Sequence, residues 1–494
     1  MKPRAVFAVV LCTAISFAAV TAAAPVGRHV SRTIARSHLE RIGATDHVLA
    51  RQTVVVGNAP VLARIYALLP AGYVVAAADD DLPPVIAYAL ESDDPAEAPG
   101  DNPLLRMLSA DLSSRLAARD RVDAAARDRI RAEWDELREG APDPTRFEQW
   151  PPAGTTPTGG YLEANWSQGS PWNDLCPIDR AGGGGRCVAG CPAVAMGMIL
   201  DHLESTGDTV FDVGDRYWHT FSGNAYWIPD EAEAFEFPTF AELNAHLSIL
   251  NDHWDDGTPV TGTDMAALVF ACGVAATQVY SASVSGTYGV GQAHDAYLRF
   301  GFADCRLLID EPDLFLSLAD EMKAGHPAHL AVVDPGWTMG HNVVVDGYNS
   351  DDYYHLNFGW GGSYNGWYRL PEEIPYGLTV IEGVILDIAP EATPVHGDAA
   401  PPALVLHANH PNPFNPSTAL TLDLPRDGRV SLRVYDLTGR LVRDLSPAGV
   451  LTAGRRVFRW DGRDADGRAL PSGSYLCRAV GAGGSGKIRM TLLR

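Results

Sequence analysis

The sequence has 494 residues, of which 46% are hydrophobic and 20% are charged, the balance of an ordinary globular protein. This composition excludes a fibrous, collagenous or wholly disordered chain, and the length predicts about two to four domains. The net charge of −23 argues against a general nucleic-acid or anionic-membrane binder. Residues 401–494 carry a net charge of +7 and the rest of the chain −30, which predicts a domain boundary near residue 400.

The amino end predicts an export signal over residues 1–24. Lys2 and Arg4 precede an apolar run over residues 5–19, and small residues follow it. A membrane anchor is the less favoured alternative, because the run is shorter than the ~20 apolar residues that a membrane-spanning helix needs. We therefore expect a secreted or cell-surface protein.

Residues 25–150 read as a mixture of helix and strand. The periodicity predicts a helix near Thr33–Ile42, strands at Gln52–Val56, Val61–Leu69 and Tyr73–Ala78, and one long helix over roughly Leu104–Glu139. The acidic run at residues 79–81 suits a solvated turn better than a metal site. Residues 141–160 are rich in Pro, Gly and Thr, which predicts an exposed linker that a protease can cut.

Cys191 stands between a glycine-rich loop and an apolar run that predicts a helix. Pro192 suits the first helical turn, so the cysteine would lie at the helix N-terminus, where the dipole favours a thiolate. A cysteine nucleophile is activated in this way when a histidine lies near. The alternative is a small apolar cysteine buried at a helix start.

His341 lies at the head of a β-branched run, and a second strand-like run ends at Asn357. A turn between the two strands would bring Asn357 beside the imidazole and orient it, while Trp360 would shield that bond from water. Asp346, five residues along the strand, is expected to face away from His341 and to be structural.

Gln168 lies upstream in a Trp-Ser-Gln motif, and its side-chain amide could hold an oxyanion together with the backbone N–H of Cys191. A lone histidine on an apolar strand is more often structural. The ordered set Gln168, Cys191, His341 and Asn357 is far less expected by chance, so it favours a nucleophilic site.

Three motifs give the central segment, residues 161–390, a family resemblance: WSQGSPWNDLCP (166–177), CVAGCPAVAMGMIL (187–200) and GHNVVVDGYNSDDYYHLNFGWGGSYNGWYRL (340–370). The segment resembles the streptopain family of papain-like cysteine endopeptidases. The resemblance implies a nucleophile, a general base, an oxyanion glutamine, an active-site tryptophan and three substrate-binding positions. In that order these are Cys191, His341, Gln168, Trp360, and then Gly340, Ser285 and Gly286.

The flanking segments carry resemblances of their own. The stretch YVVAAADDDLPPVIAYALES (73–92) resembles the streptopain-family propeptide, which implies that residues 25–150 cover the active site until they are cut off. Residues 404–494 resemble the immunoglobulin-like C-terminal modules that many exported proteins use for sorting and surface attachment. The expected division is therefore a signal peptide (1–24), an inhibitory propeptide (25–150), a peptidase domain (151–392) and an Ig-like domain (404–494).

The expected fold is α+β, a papain-like cysteine peptidase domain preceded by an α+β propeptide and followed by an all-β immunoglobulin-like sandwich. The expected function is that of a secreted cysteine endopeptidase (class EC 3.4.22), made as a self-inhibited zymogen and acting through a thiolate–imidazolium pair. We expect no metal or cofactor. The expected partners are protein or peptide substrates, the propeptide and, for the C-terminal domain, secretion machinery. The alternative is a catalytically inactive surface binding protein built on a peptidase fold.

Overall fold

The computed structural model describes residues 25–56, 61–92, 103–122, 124–140, 143–311, 313–333, 340–370 and 380–389. In the C-terminal part it describes residues 404–406, 409, 414, 418–426, 428–436, 439–447, 451, 454–460, 462–464, 468–481 and 484–492. Within these residues, no helix is both long enough and apolar enough to cross a membrane. The predicted signal over residues 1–24 lies outside them.

Residues 25–150, called the N-terminal segment below, place helices against an antiparallel meander of four strands. The elements are α1 (Arg28–Arg41), β1 (Val48–Val56), β2 (Ala63–Leu69), β3 (Tyr73–Ala77), β4 (Val85–Ala89), α2 (Pro103–Ala118), α3 (Ala124–Glu139) and β5 (Gln149–Trp150). The predicted helix and the three predicted strands are all present. The acidic run forms a turn, in which the Asp79 carboxylate accepts the backbone N–H of Asp81 at 3.0 Å.

The single long helix predicted over residues 104–139 is wrong. A short 3-10 turn at Arg119–Arg121 follows α2, and Val122 then adopts an extended conformation with ψ of 130°. The Arg127 guanidinium donates two hydrogen bonds, of 2.9 and 2.7 Å, to the Val122 carbonyl. A side chain thus takes the carbonyl that a continuous helix would bond to a backbone N–H.

The central part of the chain alternates helices with strands. The elements are β6 (Ile178–Asp179), β7 (Gly185–Arg186), α4 (Cys191–His202), β8 (Tyr217–Phe221), β9 (Asn224–Ile228), α5 (Ala232–Phe235), α6 (Phe240–Asp256), α7 (Gly262–Ala275), α8 (Val290–Arg299), β10 (Arg306–Leu308), α9 (Leu314–Ala324), β11 (Ala328–Val333), β12 (Gly340–Asn349), β13 (Tyr354–Asn357), β14 (Gly366–Tyr368) and β15 (Val380–Leu386).

One antiparallel sheet joins the N-terminal segment to the central part. Its strand order is β1-β2-β3-β4-β14-β13-β12-β11-β15-β10, and β5 also pairs with β12. The junction is the pairing of β4 with β14, with Tyr88 opposite Trp367. Exposed linker residues at 143–146 and 152–155 flank β5, which pairs with β12 and stacks Trp150 on Tyr348. The predicted linker is therefore exposed before and after β5, while β5 itself is held against β12.

The sheet separates two hydrophobic cores. Side chains alternate along β12, so Val343 and Val345 belong to the core shared with the N-terminal segment. Val344 points the other way, into the core built by α4, α6, α7 and α8. Successive residues of β12 therefore pack alternately into the core shared with the N-terminal segment and the core of the central helices.

The C-terminal part folds as two facing antiparallel sheets, as its pattern of short strands predicts. The strands are β16 (Val405–Leu406), β17 (Thr418–Leu424), β18 (Ser431–Asp436), β19 (Leu441–Asp444), β20 (Gly454–Trp460), β21 (Gly473–Gly481) and β22 (Gly484–Leu492). The sheet orders are β16-β17-β20 and β19-β18-β21-β22. A third core, around the buried Trp460, fills the space between them.

Candidate active site

Cys191 is the first residue of α4, as the sequence predicts. The loop before it is fixed by Gln278, a buried side chain whose amide donates to the Ala189 carbonyl at 2.8 Å. Gly190 has a φ of +88°, and a Cβ there would lie 2.6 Å from the Gln278 amide oxygen. The six described cysteines are all free thiols, and Cys191 alone among them is not fully buried.

His341 begins β12 and is held by a backbone carbonyl. Its Nε2 lies 2.8 Å from the carbonyl oxygen of Phe358. Because a carbonyl can only accept, Nε2 carries the hydrogen and Nδ1 is the basic nitrogen. The Trp360 ring stacks on the imidazole with centroids 4.5 Å apart and planes inclined by 24°. Trp360 therefore contacts the imidazole itself and does not shield the expected bond between Asn357 and His341.

The predicted contact between Asn357 and His341 is wrong. The Asn357 amide donates to the Ala164 carbonyl at 2.8 Å, and its oxygen accepts the backbone N–H of Gly359 at 3.1 Å. In the strand register Asn357 lies opposite Val344, three residues beyond the histidine. Strand β13 ends at Asn357, and the chain then turns at Gly359, which has a φ of +65°, so that Trp360, and not the asparagine, meets the ring.

The expected thiolate–imidazolium pair is not the state of this structure. Among the described residues, the side-chain hydrogen bond to the Cys191 sulfur comes from Asn342. Burial raises the pKa of the Cys191 thiol and lowers the pKa of His341 to about 4. Both groups are therefore neutral at pH 7. The imidazole packs with Phe358 and Trp360, on the side of the sheet that faces the N-terminal segment.

Asn342 is a site residue that the sequence analysis missed. Its Nδ2 lies 3.8 Å from the Cys191 sulfur, and its Oδ1 lies 2.7 Å from Nε2 of His329. The sequence does contain a signal for this residue, because Asn342 is a polar residue directly before a run of three valines. On a strand with two buried faces, such a residue must have a buried partner.

Of the remaining predicted positions, Gln168 and Gly286 contact the chain on either side of Cys191. The Gln168 carbonyl accepts the Ala189 N–H at 2.9 Å, so its half-buried side chain lies beside the loop that carries the nucleophile. Gly286 lies against Pro192, since a Cβ there would be 3.9 Å from the proline ring. Gly340 is exposed at the start of β12.

The side chains of Ser285 and Asp346 both make hydrogen bonds within the fold. The buried Ser285 hydroxyl accepts the backbone N–H of Ser281 and donates to the Ser281 carbonyl, so it closes its own turn. The Asp346 carboxylate lies 2.6 Å from Nδ1 of His355 and accepts the backbone N–H of Leu162. The structural interpretation of Asp346 is confirmed.

Comparison with known proteins gives two matches to family descriptions. Residues 166–368 match the Peptidase C10 family, and residues 412–485 match the FlgD Ig-like domain. The centre of this chain is a Peptidase C10 family domain. The match confirms the resemblance to the streptopain family and the papain-like fold class, and the C10 family is one of cysteine peptidases. The immunoglobulin-like sandwich at the C-terminus is confirmed as well.

Individual relatives are distant. The thiol protease/hemagglutinin PrtT of Porphyromonas gingivalis is 24% identical over 352 residues, which are 68% of this chain and 38% of that protein. Streptopain of Streptococcus pyogenes is 24% identical over 227 residues, 43% of this chain and 55% of that protein. A prointerpain A fragment of Prevotella intermedia aligns in structure with a TM-score of 0.46 and 22% identity, over 69% of this chain and 99% of that one. The match thus spans less than two thirds of the two curated relatives.

Proposed function

We propose that the chain is a secreted cysteine endopeptidase made as a self-inhibited precursor, with Cys191 as nucleophile and His341 as general base. The observation that carries this proposal is the position of Cys191, a residue that is not fully buried, at the N-terminus of α4 beside the Gln168 segment. A helix N-terminus stabilises the negative charge that a thiolate carries. The family of the C10 domain supports the same chemistry.

The tautomer of His341 defines the proton transfers. Nδ1 takes the thiol proton, and the Cys191 sulfur attacks the peptide carbonyl carbon. The Gln168 amide and the Cys191 N–H hold the oxyanion. As the tetrahedral intermediate collapses, the amine leaves with the proton from Nδ1 and a thioester remains. Nδ1 then deprotonates the water that hydrolyses the thioester, and the regenerated thiol recovers the proton.

Self-inhibition is the role we propose for the N-terminal segment. Its Tyr73 hydroxyl lies 2.6 Å from that of Tyr368 and 3.3 Å from the Tyr364 carbonyl. Tyr364 packs edge-on against Trp360, which stacks on His341. These contacts connect the N-terminal segment to the imidazole of His341 through Tyr364 and Trp360. We therefore expect the segment to act by holding His341 in its neutral, carbonyl-bound position, and its removal to let Nδ1 turn to Cys191.

The C-terminal sandwich and the export signal complete the proposal. The FlgD Ig-like match covers most of the tail and supports a separate module, for which we propose sorting or attachment at the cell surface. The signal over residues 1–24 would direct export. The proposed domain limits remain 1–24, 25–150, 151–392 and 404–494.

The deciding experiment incubates the full-length chain with casein under reducing conditions, beside Cys191→Ala and a Cys272→Ala control that removes a buried thiol on α7. We expect the wild type and the control to lose about the first 150 residues and to cleave casein, and Cys191→Ala to do neither. Absence of processing, of casein cleavage and of labelling by a thiol-reactive epoxide, even after trypsin removes the N-terminal segment, would favour the inactive binding protein.

A further inference from the structure

The sulfur of Cys191 meets a side chain on β12 other than the general base. Asn342 Nδ2 lies 3.8 Å from Sγ, within the range of a hydrogen bond to sulfur. The side-chain amide and the backbone N–H of Asn342 both lower the pKa of the thiol against the opposing effect of burial. Asn342 therefore favours the thiolate from two donors at once.

The orientation of the Asn342 amide is determined by a chain of buried polar groups. Its Oδ1 lies 2.7 Å from Nε2 of His329, and Nδ1 of His329 lies 3.1 Å from the Tyr297 hydroxyl. An amide oxygen can only accept, so Nε2 of His329 donates to it, and Nδ1 then accepts from the tyrosine. This order of donors leaves the Asn342 N–H group pointing at sulfur.

Packing and strand register fix the positions of His329 and Tyr297. His329 and Tyr297 are fully buried, and their rings meet edge to face with centroids 5.8 Å apart. In the β11–β12 register Asn342 lies opposite Ala331, so His329, two residues along β11, shares its face of the sheet. Burial lowers the pKa of His329 to about 4, and the imidazole therefore stays neutral and keeps the same hydrogen-bond direction across neutral pH.

We propose that Asn342 binds and stabilises the Cys191 thiolate, with His329 and Tyr297 as positioning residues that fix its amide. The proposal deepens the cysteine-peptidase function and rests on it for biological meaning. The chain from Tyr297 through His329 to Asn342 is called the relay below. Its effect on the ionisation of the Cys191 thiol can be measured by chemical modification, without peptide hydrolysis.

The test measures the rate of Cys191 alkylation by iodoacetamide against pH in the full-length chain. All variants carry His341→Ala, which prevents self-cleavage and removes the other titrating neighbour, and peptide mapping assigns the label to Cys191. We expect Asn342→Ala to raise the midpoint by about one pH unit, a tenfold loss of thiolate at neutral pH. Tyr297→Phe, which removes only a hydroxyl, should raise it by a smaller amount.

Leu247→Ala is the control, because it truncates a buried side chain in the same core, on α6. Its midpoint should equal that of the parent. Equal midpoints for Asn342→Ala and the parent, or an equal rise in Leu247→Ala, would overturn the role of Asn342. If Asn342→Ala does not fold, Asn342→Asp keeps the volume, and its negative charge should raise the midpoint further; an unchanged midpoint there also overturns it. A shifted midpoint without casein cleavage by the wild type leaves the relay standing and rejects the peptidase.

Discussion

Gly190 meets two separate requirements, one from its own backbone and one from its neighbour. Its φ of +88° is one that L side chains rarely adopt, and the Gln278 amide fills the space that a Cβ would need. We expect Gly190→Ala to lower the free energy of unfolding by about 2–3 kcal/mol, because strain and overpacking add. Urea denaturation of the full-length chain measures this loss.

Gly184→Ala separates the two contributions. Gly184 has a φ of +81° but open space around its Cβ position, so this variant should lose only about 1 kcal/mol. Equal losses in the two variants would show that the Gln278 contact does not constrain the loop. Epoxide labelling of Cys191 should fall in Gly190→Ala and stay unchanged in Gly184→Ala.

At the level of single residues, the sequence predicts the reacting side chains better than the groups that hydrogen-bond to them. Cys191 at a helix start follows from local signals, a glycine-rich loop before it and a proline at the first turn. The partner of His341 does not, because it depends on the β12–β13 register, which contains an irregularity between Val345 and Gly347. The imidazole is bound by the Phe358 carbonyl, and a backbone group leaves no mark in the sequence.

Among the elements, α1 makes a two-bond ion pair with the C10 domain. The Arg41 guanidinium donates two hydrogen bonds of 2.7 Å to the Asp351 carboxylate, which is only 9% exposed. We expect Arg41→Ala to weaken docking of the N-terminal segment by about 2 kcal/mol, since a poorly hydrated carboxylate would lose its partner. The precursor should then process faster, as a time course on a gel would show.

Arg36→Ala is the control on the same helix. Arg36 and Glu40 form a pair at 3.9 Å with both side chains more than half exposed, so its loss should leave processing unchanged. Equal acceleration by the two variants would indicate general damage to α1. Unchanged processing in Arg41→Ala would mean that the contact with Asp351 does not contribute to inhibition.

Element boundaries were predictable where one chemical signal dominated. The strands β2 and β3 follow from β-branched and aromatic runs between turn residues. The break between α2 and α3 does not, because both halves have helical composition and the Arg127 contact with Val122 interrupts them. Strand β4 was not predicted, because all five of its residues are buried and its sequence lacks the alternation of polar and apolar residues that marks a half-exposed strand.

Across the whole molecule, separate cores predict separate unfolding events. The core around Trp460 shares no residues with the two cores beside the long sheet. We expect Trp460→Ala to lower the melting temperature of one calorimetric transition only, with a loss of about 3–5 kcal/mol from the C-terminal sandwich. The matched variant Trp134→Ala, buried in the N-terminal segment, should leave that transition in place. A shift of every transition by Trp460→Ala would contradict the division.

Buried histidines make the whole molecule sensitive to acid. Burial lowers the pKa of His38 to about 3 and those of His219, His329 and His341 to about 4. A histidine whose folded-state pKa is lowered takes up its proton more readily when unfolded. Its contribution to stability is therefore complete above the ordinary value of 6.5 and falls as the pH drops towards 4.

We therefore expect the urea midpoint of the full-length chain to fall steadily between pH 6.5 and pH 4, a range set by these four groups. His38→Gln, which replaces the buried ring with a group that does not titrate, should flatten the fall. An exposed control, His29→Gln, should leave the slope unchanged. A midpoint independent of pH over this range would contradict the burial of these rings.

The pairing of β4 with β14 has a consequence for the proposed removal of the N-terminal segment. If the N-terminal segment departs, the backbone groups of Gly366–Tyr368 that faced β4 lose their partners, and β14 becomes a free sheet edge. Such an edge is a template on which any extended peptide can add as a further strand. Removal of the segment would then expose an additional sheet edge at β14, and with it a route to self-association through this strand that is closed while β4 pairs with it.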